Sequence, residues 1–227
     1  MKGKRREAVT GRRGEGESAD ARRISPSPRR PFPPSASTPW RVFCAVELPD
    51  DVRLQLQAHI LQLRKEIPDA AASWSRVENI HLTLKFFGNV AVDRVSTISA
   101  AASRAANEFA PFQIGIGRTG VFPKPSRAQV LWIGVSDPAG NLLSLQQNLE
   151  DQCSMEGFAK EDRAFRPHLT IARIRKPEGA KRLAGAHLRM KFANAEIKVS
   201  ELIVFRSELS SKGSKYTAIS RQQLSDQ

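Results

Sequence analysis

Cysteine is nearly absent from this chain: two occur in 227 residues, Cys44 and Cys153, and neither belongs to a spaced framework. That argues against a disulfide scaffold and for two reduced, partly or fully buried thiols. Long apolar runs are missing as well. No stretch approaches the roughly 18 residues that cross a bilayer, and the N-terminus lacks the apolar segment of roughly 7 to 15 residues of a secretory signal. The expectation is a soluble, cytoplasmic, monomeric protein with no membrane partner. Metal ligands are sparse too. Histidine occurs four times, at 59, 81, 168 and 187, and no third His, Cys or carboxylate stands at ligand spacing, so a zinc site is disfavoured. No glycine fingerprint of a dinucleotide fold is present, and no cofactor is expected.

Positive charge, in contrast, is abundant. The formal net charge is +13, which suits a phosphate-bearing partner by long-range steering, although basic domains without such partners are common. Residues 1–40 carry ten Lys or Arg against four Asp or Glu, so +6 of the total lies there and +7 in the remainder. Residues 1–39 are rich in Arg, Pro, Ser and Gly without apolar periodicity and are expected to be a disordered tail. Such a tail can be an RNA-binding arm, a transit peptide, idle solvated chain, or the product of a start site assigned too early. Residues 40–227 are expected to form one domain.

Within that domain, Arg41 to Leu48 reads as a buried strand ended by Pro49, and the segment from Asp50 to Lys65 as a helix stopped by Pro68. Ile80 to Phe87 reads as a strand closed by Gly88-Asn89. A helix over Ala91 to Phe109 precedes strands at Phe112–Arg118 and Gln129–Val135, separated by the turn-rich Phe122-Pro123-Lys124-Pro125. Leu142 to Met155 reads as a helix stopped by Gly157, and His168 to Ala172 as a strand behind Pro167. A short helix near Gly179–Leu183 and strands at Glu196–Phe205 and Tyr216–Ile219 follow. The pattern predicts an α+β domain of two similar lobes.

Two of the four histidines open the same tetrapeptide: His81-Leu82-Thr83-Leu84 and His168-Leu169-Thr170-Ile171. Strand alternation sets His81 beside Thr83 on one face, with Leu82 and Leu84 on the other, and repeats this for His168 and Thr170. Either histidine alone reads most simply as a packing residue. Together they suggest in-line displacement at phosphorus, which needs a base, an acid and donors for the equatorial oxygens. Two imidazoles and two hydroxyls supply these without a metal.

On these residues the sequence resembles the two-histidine (2H) phosphoesterases, defined by a pair of His-x-Thr-x motifs, and within them the RNA 2′,3′-cyclic phosphodiesterase branch historically named 2′-5′ RNA ligase. The likeness runs from Arg41 to Ile219 and includes Phe43 to Pro49, Glu78-Asn79-Ile80, Gly120 to Pro123, Val130-Leu131-Trp132, Phe165-Arg166-Pro167, Ser207 and Tyr216. It implies a bilobal fold, each lobe an antiparallel sheet backed by helices, related by a pseudo-twofold axis around a central groove. It also implies metal-independent opening of a 2′,3′-cyclic phosphate on RNA to a 2′-phosphomonoester. His168 is then the proton acceptor, His81 the proton donor, and Thr83 and Thr170 hold the phosphate. Arg173 matches a substrate-contacting arginine, but simple alternation aims it away from His168, so its role requires the strand to end or twist there. Phe43 faces the terminal base by the same analogy, or is a core aromatic. Arg127 is a groove cation or a solvated loop charge. Two further readings stand beside hydrolysis: ATP-independent 2′-5′ joining of RNA ends by the same acid–base pair, and a non-catalytic RNA-binding module.

Overall fold

The computed structural model describes residues 38–210 and 213–225; the proposed disordered tail, but for its last two residues, lies outside that range. The elements run β1 (Trp40–Val46), α1 (Asp50–Glu66), β2 (Ala72–Trp74), β3 (Leu82–Val90), α2 (Val95–Ala106), β4 (Phe112–Phe122), β5 (Val130–Ser136), α3 (Asn141–Met155), β6 (His168–Ile174), α4 (Ala180–Arg189), β7 (Ala195–Val199), β8 (Glu201–Ser210) and β9 (Gly213–Gln223). The strands form two antiparallel sheets, one ordered β3-β1-β8-β9 and the other β2-β6-β5-β4-β7. Helices α2 and α3 back the first sheet, and α4, with α1 against it, backs the second. One apolar core unites both sheets and their helices. The α+β class and its two helix-backed sheets match the expectation.

Several boundaries differ for identifiable reasons. Gly88-Asn89 does not close the third strand: Gly88 adopts φ +73°, a conformation glycine reaches freely, and Phe87 is skipped in the pairing so that the strand continues to Val90. Arg118, with φ 60°, is skipped in the same way, and β4 runs on to Phe122. The single strand read over Glu196–Phe205 is two strands in different sheets, divided at Ser200. The short helix near Gly179 extends to Arg189, and β2 was not read as a strand.

The strands that carry the repeated tetrapeptides share one irregularity. In β3, Thr83 pairs with Ala45 and Lys85 with Cys44, leaving Leu84 as the extra residue. In β6, Thr170 pairs with Trp132 and Ala172 with Leu131, leaving Ile171 extra. A bulge of this kind resets the period-two alternation. Accordingly, both six-residue stretches from the histidine onward show the same burial: half-buried, buried, half-buried, buried, buried, exposed. The reset turns Lys85 into the interior, where it pairs with Glu150 of α3 and donates to Ala159 O at 2.8 Å. Removing one partner would strand a buried charge, at a cost of roughly 3–5 kcal/mol.

The remaining histidines form a buried pair between α1 and α4. The Nε2–H of His187 donates to the Trp132 carbonyl at 3.1 Å, so its Nδ1 carries the lone pair that accepts from His59 Nε2 at 3.0 Å. Burial lowers both pKa values, that of His59 to about 4, with each ring's charge opposing the other's in His59's case. An unfolded histidine binds its proton near 6.5, so stability is full above that pH and is lost as pH falls toward 4. Urea midpoints measured across that window should fall steadily, with His59 accounting for about 3 kcal/mol, and His59→Leu should flatten the decline.

Candidate active site

The two catalytic candidates are held alike. His81 Nδ1 lies 2.9 Å from the carbonyl of Asn79, and His168 Nδ1 lies 2.7 Å from that of Arg166, in each case two residues earlier. A carbonyl only accepts, so Nδ1 carries the hydrogen in both rings and Nε2 is the nitrogen left for chemistry.

Their surroundings differ. Phe43 stacks on His81 with centroids 4.6 Å apart, Tyr216 meets it edge-on at 5.2 Å, and Phe205 lies behind at 6.2 Å. These rings join Ala45 and Ile203 in a second, smaller apolar cluster. Phe43 is only 3% exposed, its ring packed between those of His81 and Phe205. Desolvation is the main cause that brings His81 down to about 4; the Asn79 carbonyl opposes it, Arg53 adds to it, and Glu47 opposes it again. Arg53 also clamps the approach to the histidine, donating to Leu48 O at 2.9 Å, Glu78 O at 3.0 Å and Val77 O at 3.2 Å. Asn79 is tied in turn to Ser214 O at 2.8 Å. Arg53 gives no sequence signal, because its partners are backbone carbonyls, two of them in a segment distant in the chain.

Around His168 the face is open. Gly134 stands directly opposite His168 across the strand pair, and Gly117 stands opposite Gly134. A Cβ on Gly134 would lie 2.9 Å from the Gly117 carbonyl, so the close approach requires glycine there. In the next cross-strand row Trp132 lies between Thr170 and Gly120, its ring over the Gly120 backbone, and Phe122 meets His168 edge-on at 5.0 Å. A cleft of about 440 Å³ opens beside this floor, lined by Gly117, Gly134, Trp132, Arg118, Asn194 and Pro167 among others. Desolvation lowers the His168 pKa, the Arg166 carbonyl opposes that, and the Arg173 charge lowers it further. The bulge at Ile171 supplies the twist that Arg173 needed: two successive buried residues return it, exposed, to the phase of His168 and Thr170.

The two motifs are drawn together by the segment between β2 and β3. Ser75 donates through its hydroxyl to Thr170 O at 2.8 Å and through its amide to Ile171 O at 2.9 Å. His81 follows six residues later, a link of at most about 20 Å if extended. A 3₁₀ turn over Val77–Asn79 shortens it further. Among the described residues no group of three or more His, Cys, Asp or Glu is gathered to hold a metal.

Two antiparallel sheets backed by helices, each presenting a histidine and a threonine in the same strand phase, define an α+β fold built around a repeated motif. The chain belongs to the 2′-5′ RNA ligase superfamily, whose family model matches residues 49–210. It is 34% identical over 182 residues to the RNA 2′,3′-cyclic phosphodiesterase of Methanothermobacter thermautotrophicus, covering 78% of this chain and 95% of that one. It is 29% identical over 180 residues to the protein of that name from Thermotoga maritima, covering 79% and 92%. Among solved structures it is similar to Escherichia coli LigT complexed with 3′-AMP, with a TM-score of 0.67 and 26% identity over 83% of this chain and 99% of that one.

If the stacked phenyl ring is what keeps water from His81, then Phe43→Leu should raise the pKa of that imidazole from about 4 toward the ordinary value near 6.5. A proton NMR titration of the four ring Cε1–H signals reads this directly, and an unmoved His81 would contradict the account.

Proposed function

We propose that this protein opens a 2′,3′-cyclic phosphate at an RNA end and leaves a 2′-phosphomonoester, with His81 and His168 facing a single phosphorus atom. The observation that carries the reading is the shared construction of the two motifs: the same tautomer lock, the same strand phase and the same bulge. His168 Nε2 takes the proton of the attacking water as the new P–O bond forms. Its neighbouring cation, Arg173, disfavours protonation of the resting ring, which suits a base. His81, as the imidazolium, gives its Nε2 proton to the departing 3′ oxygen as that P–O bond breaks; burial disfavours that charged form in the free protein, so the proton is taken up together with the substrate anion. Thr83 and Thr170 donate to the non-bridging oxygens, and Arg173 balances their growing charge. The ledger closes without a metal. Each imidazole in this role is worth roughly 10²–10⁴ in rate.

The glycine floor beside His168 favours a second reading, because it leaves room for a nucleophile larger than water. With a ribose 5′-hydroxyl in place of water the same pair forms a 2′-5′ bond. Supplying an acceptor strand and looking for that linkage separates the two.

His81→Ala and His168→Ala should each lower kcat by roughly 10²–10⁴ on a cyclic-phosphate substrate while circular dichroism and Tm stay near those of the unaltered protein. Activity should persist in excess chelator. Full turnover by either well-folded variant would remove the assignment.

A pH profile tests the same roles from the other side. kcat/KM reports the free enzyme, in which the acid must be protonated and the base bare. Its limbs should therefore lie near 4, for His81, and below 6.5, for His168. The bound phosphodiester anion stabilises both imidazolium forms, so the kcat profile should be displaced to higher pH than the kcat/KM profile.

A further inference from the structure

Several exposed arginines of this protein have an acidic neighbour. Arg104, Arg163, Arg182, Arg189 and Arg221 each pair with a carboxylate, as does the less exposed Arg206. One region gathers basic side chains with no carboxylate among them. Where β6 leaves its sheet, a cleft of about 590 Å³ lies between the Pro125–Arg127 turn and the start of α4, and its lining includes Arg127, Arg173, Arg175, Lys176 and Lys181. All five are exposed, none forms an ion pair among the described residues, and no Asp or Glu lines the cleft. Arg175 is steadied by its Nε donating to Ser73 Oγ at 2.6 Å, which leaves the outer end of the guanidinium available. Confining like charges in one concavity raises their mutual repulsion and focuses the field, so the cleft is relieved by a polyanion and attracts one.

The position of the cleft gives this charge a use. Arg173 belongs to it and also bears electrostatically on His168. A single reacting phosphate occupies only the Arg173 end. The other four cations would then meet negative charge located further along the same ligand, and in a nucleic acid that charge comes as successive internucleotide phosphates.

We propose that this cleft is a second anion subsite, holding the internucleotide phosphates that precede the reacting end of a single RNA strand, so that the protein selects oligonucleotides over free cyclic mononucleotides. The inference rests on the proposed cyclic-phosphate chemistry only for which end of the strand lies at the histidines. Arg127, Lys176 and Lys181 are exposed side chains that support no other element, and they are the positions at which to test it.

The experiment compares a short oligoribonucleotide ending in a 2′,3′-cyclic phosphate with adenosine 2′,3′-cyclic phosphate, using the full chain and its triple variant Arg127→Gln, Lys176→Gln, Lys181→Gln. In the unaltered protein kcat/KM for the oligonucleotide should exceed that for the mononucleotide by about tenfold or more at low salt, since each added phosphate contact releases counterions. It should also fall with log salt at a slope roughly 2 units steeper, at about 0.7 per single-strand contact. The triple variant should bring the ratio close to one and remove most of the extra slope. Equal preference in the unaltered protein, or an unchanged ratio in the variant, overturns the proposal. Should neither substrate be opened, the chemistry fails but the subsite is still measurable. Fluorescence anisotropy of a labelled, unreactive oligoribonucleotide must then show salt-dependent binding that the triple variant weakens at least tenfold, and equal binding by both proteins overturns it.

Discussion

The site depends on one extra residue in each of two strands. A regular strand would continue the alternation begun at His81 and His168, sending the fourth residues beyond them outward or inward without regard to what they carry. The bulges at Leu84 and Ile171 make two successive side chains face the core instead. In β3 the second of these is Lys85, which is then obliged to find Glu150 inside the protein. In β6 it is Ala172, which needs no partner, and the following Arg173 returns to the phase of the histidine. A bulge also increases local twist, and both bulges lie at the point where a motif ends. The register of the two histidines and threonines, the buried ion pair and the placement of Arg173 are consequences of the same backbone irregularity.

Matched registers do not produce matched surroundings. The first sheet packs Phe43, Phe205 and Tyr216 around its histidine, and burial disfavours the charged form of His81. The second sheet leaves backbone where side chains would stand, at Gly117 and Gly134, and aims the Trp132 ring across Gly120. Space for a ligand therefore lies on the His168 side. Positive charge lies there too, beginning at Arg173. In the proposed reaction an acid and a base must differ in proton affinity and in access, and these unequal faces provide both differences from motifs of nearly identical sequence.

Much of this was legible in the chain. The tetrapeptide repeat named both histidines and both threonines, and alternation placed each pair on one face because Leu82, Leu84, Leu169 and Ile171 could only be core. The bulges were not legible, since an extra residue is defined by the partner strand, and Cys44-Ala45 and Leu131-Trp132 are distant in sequence from the residues they fail to match. For the same reason the position of Arg173 could be posed as a condition but not resolved. Gly88 was read as a stop because a glycine after an apolar run has two outcomes, turn or bulge, and local sequence does not choose between them. Val199-Ser200-Glu201 shows the converse: a continuous β-forming pattern is divided between sheets, a decision made by which edges are available to pair. Phe43, which the sequence leaves either as a surface facing a base or as a core aromatic, is almost fully buried and stacks on the His81 ring.

Proton inventory links the pocket to the charge outside it. Burial lowers the proton affinity of both rings, so near neutral pH the free protein holds two bare Nε2 atoms and lacks the proton the leaving oxygen requires. A phosphodiester brings a negative charge into a poorly hydrated site, where attraction to an imidazolium is least screened. That charge repays part of the desolvation cost that kept His81 neutral. At His168 the same anion is shared with Arg173, so less of its field is left to favour protonation of the base. On the proposed roles, binding of the anion and uptake of one proton by His81 become a single event, and the ring that gains the proton is the one whose cationic neighbour, Arg53, has its guanidinium committed to three backbone carbonyls.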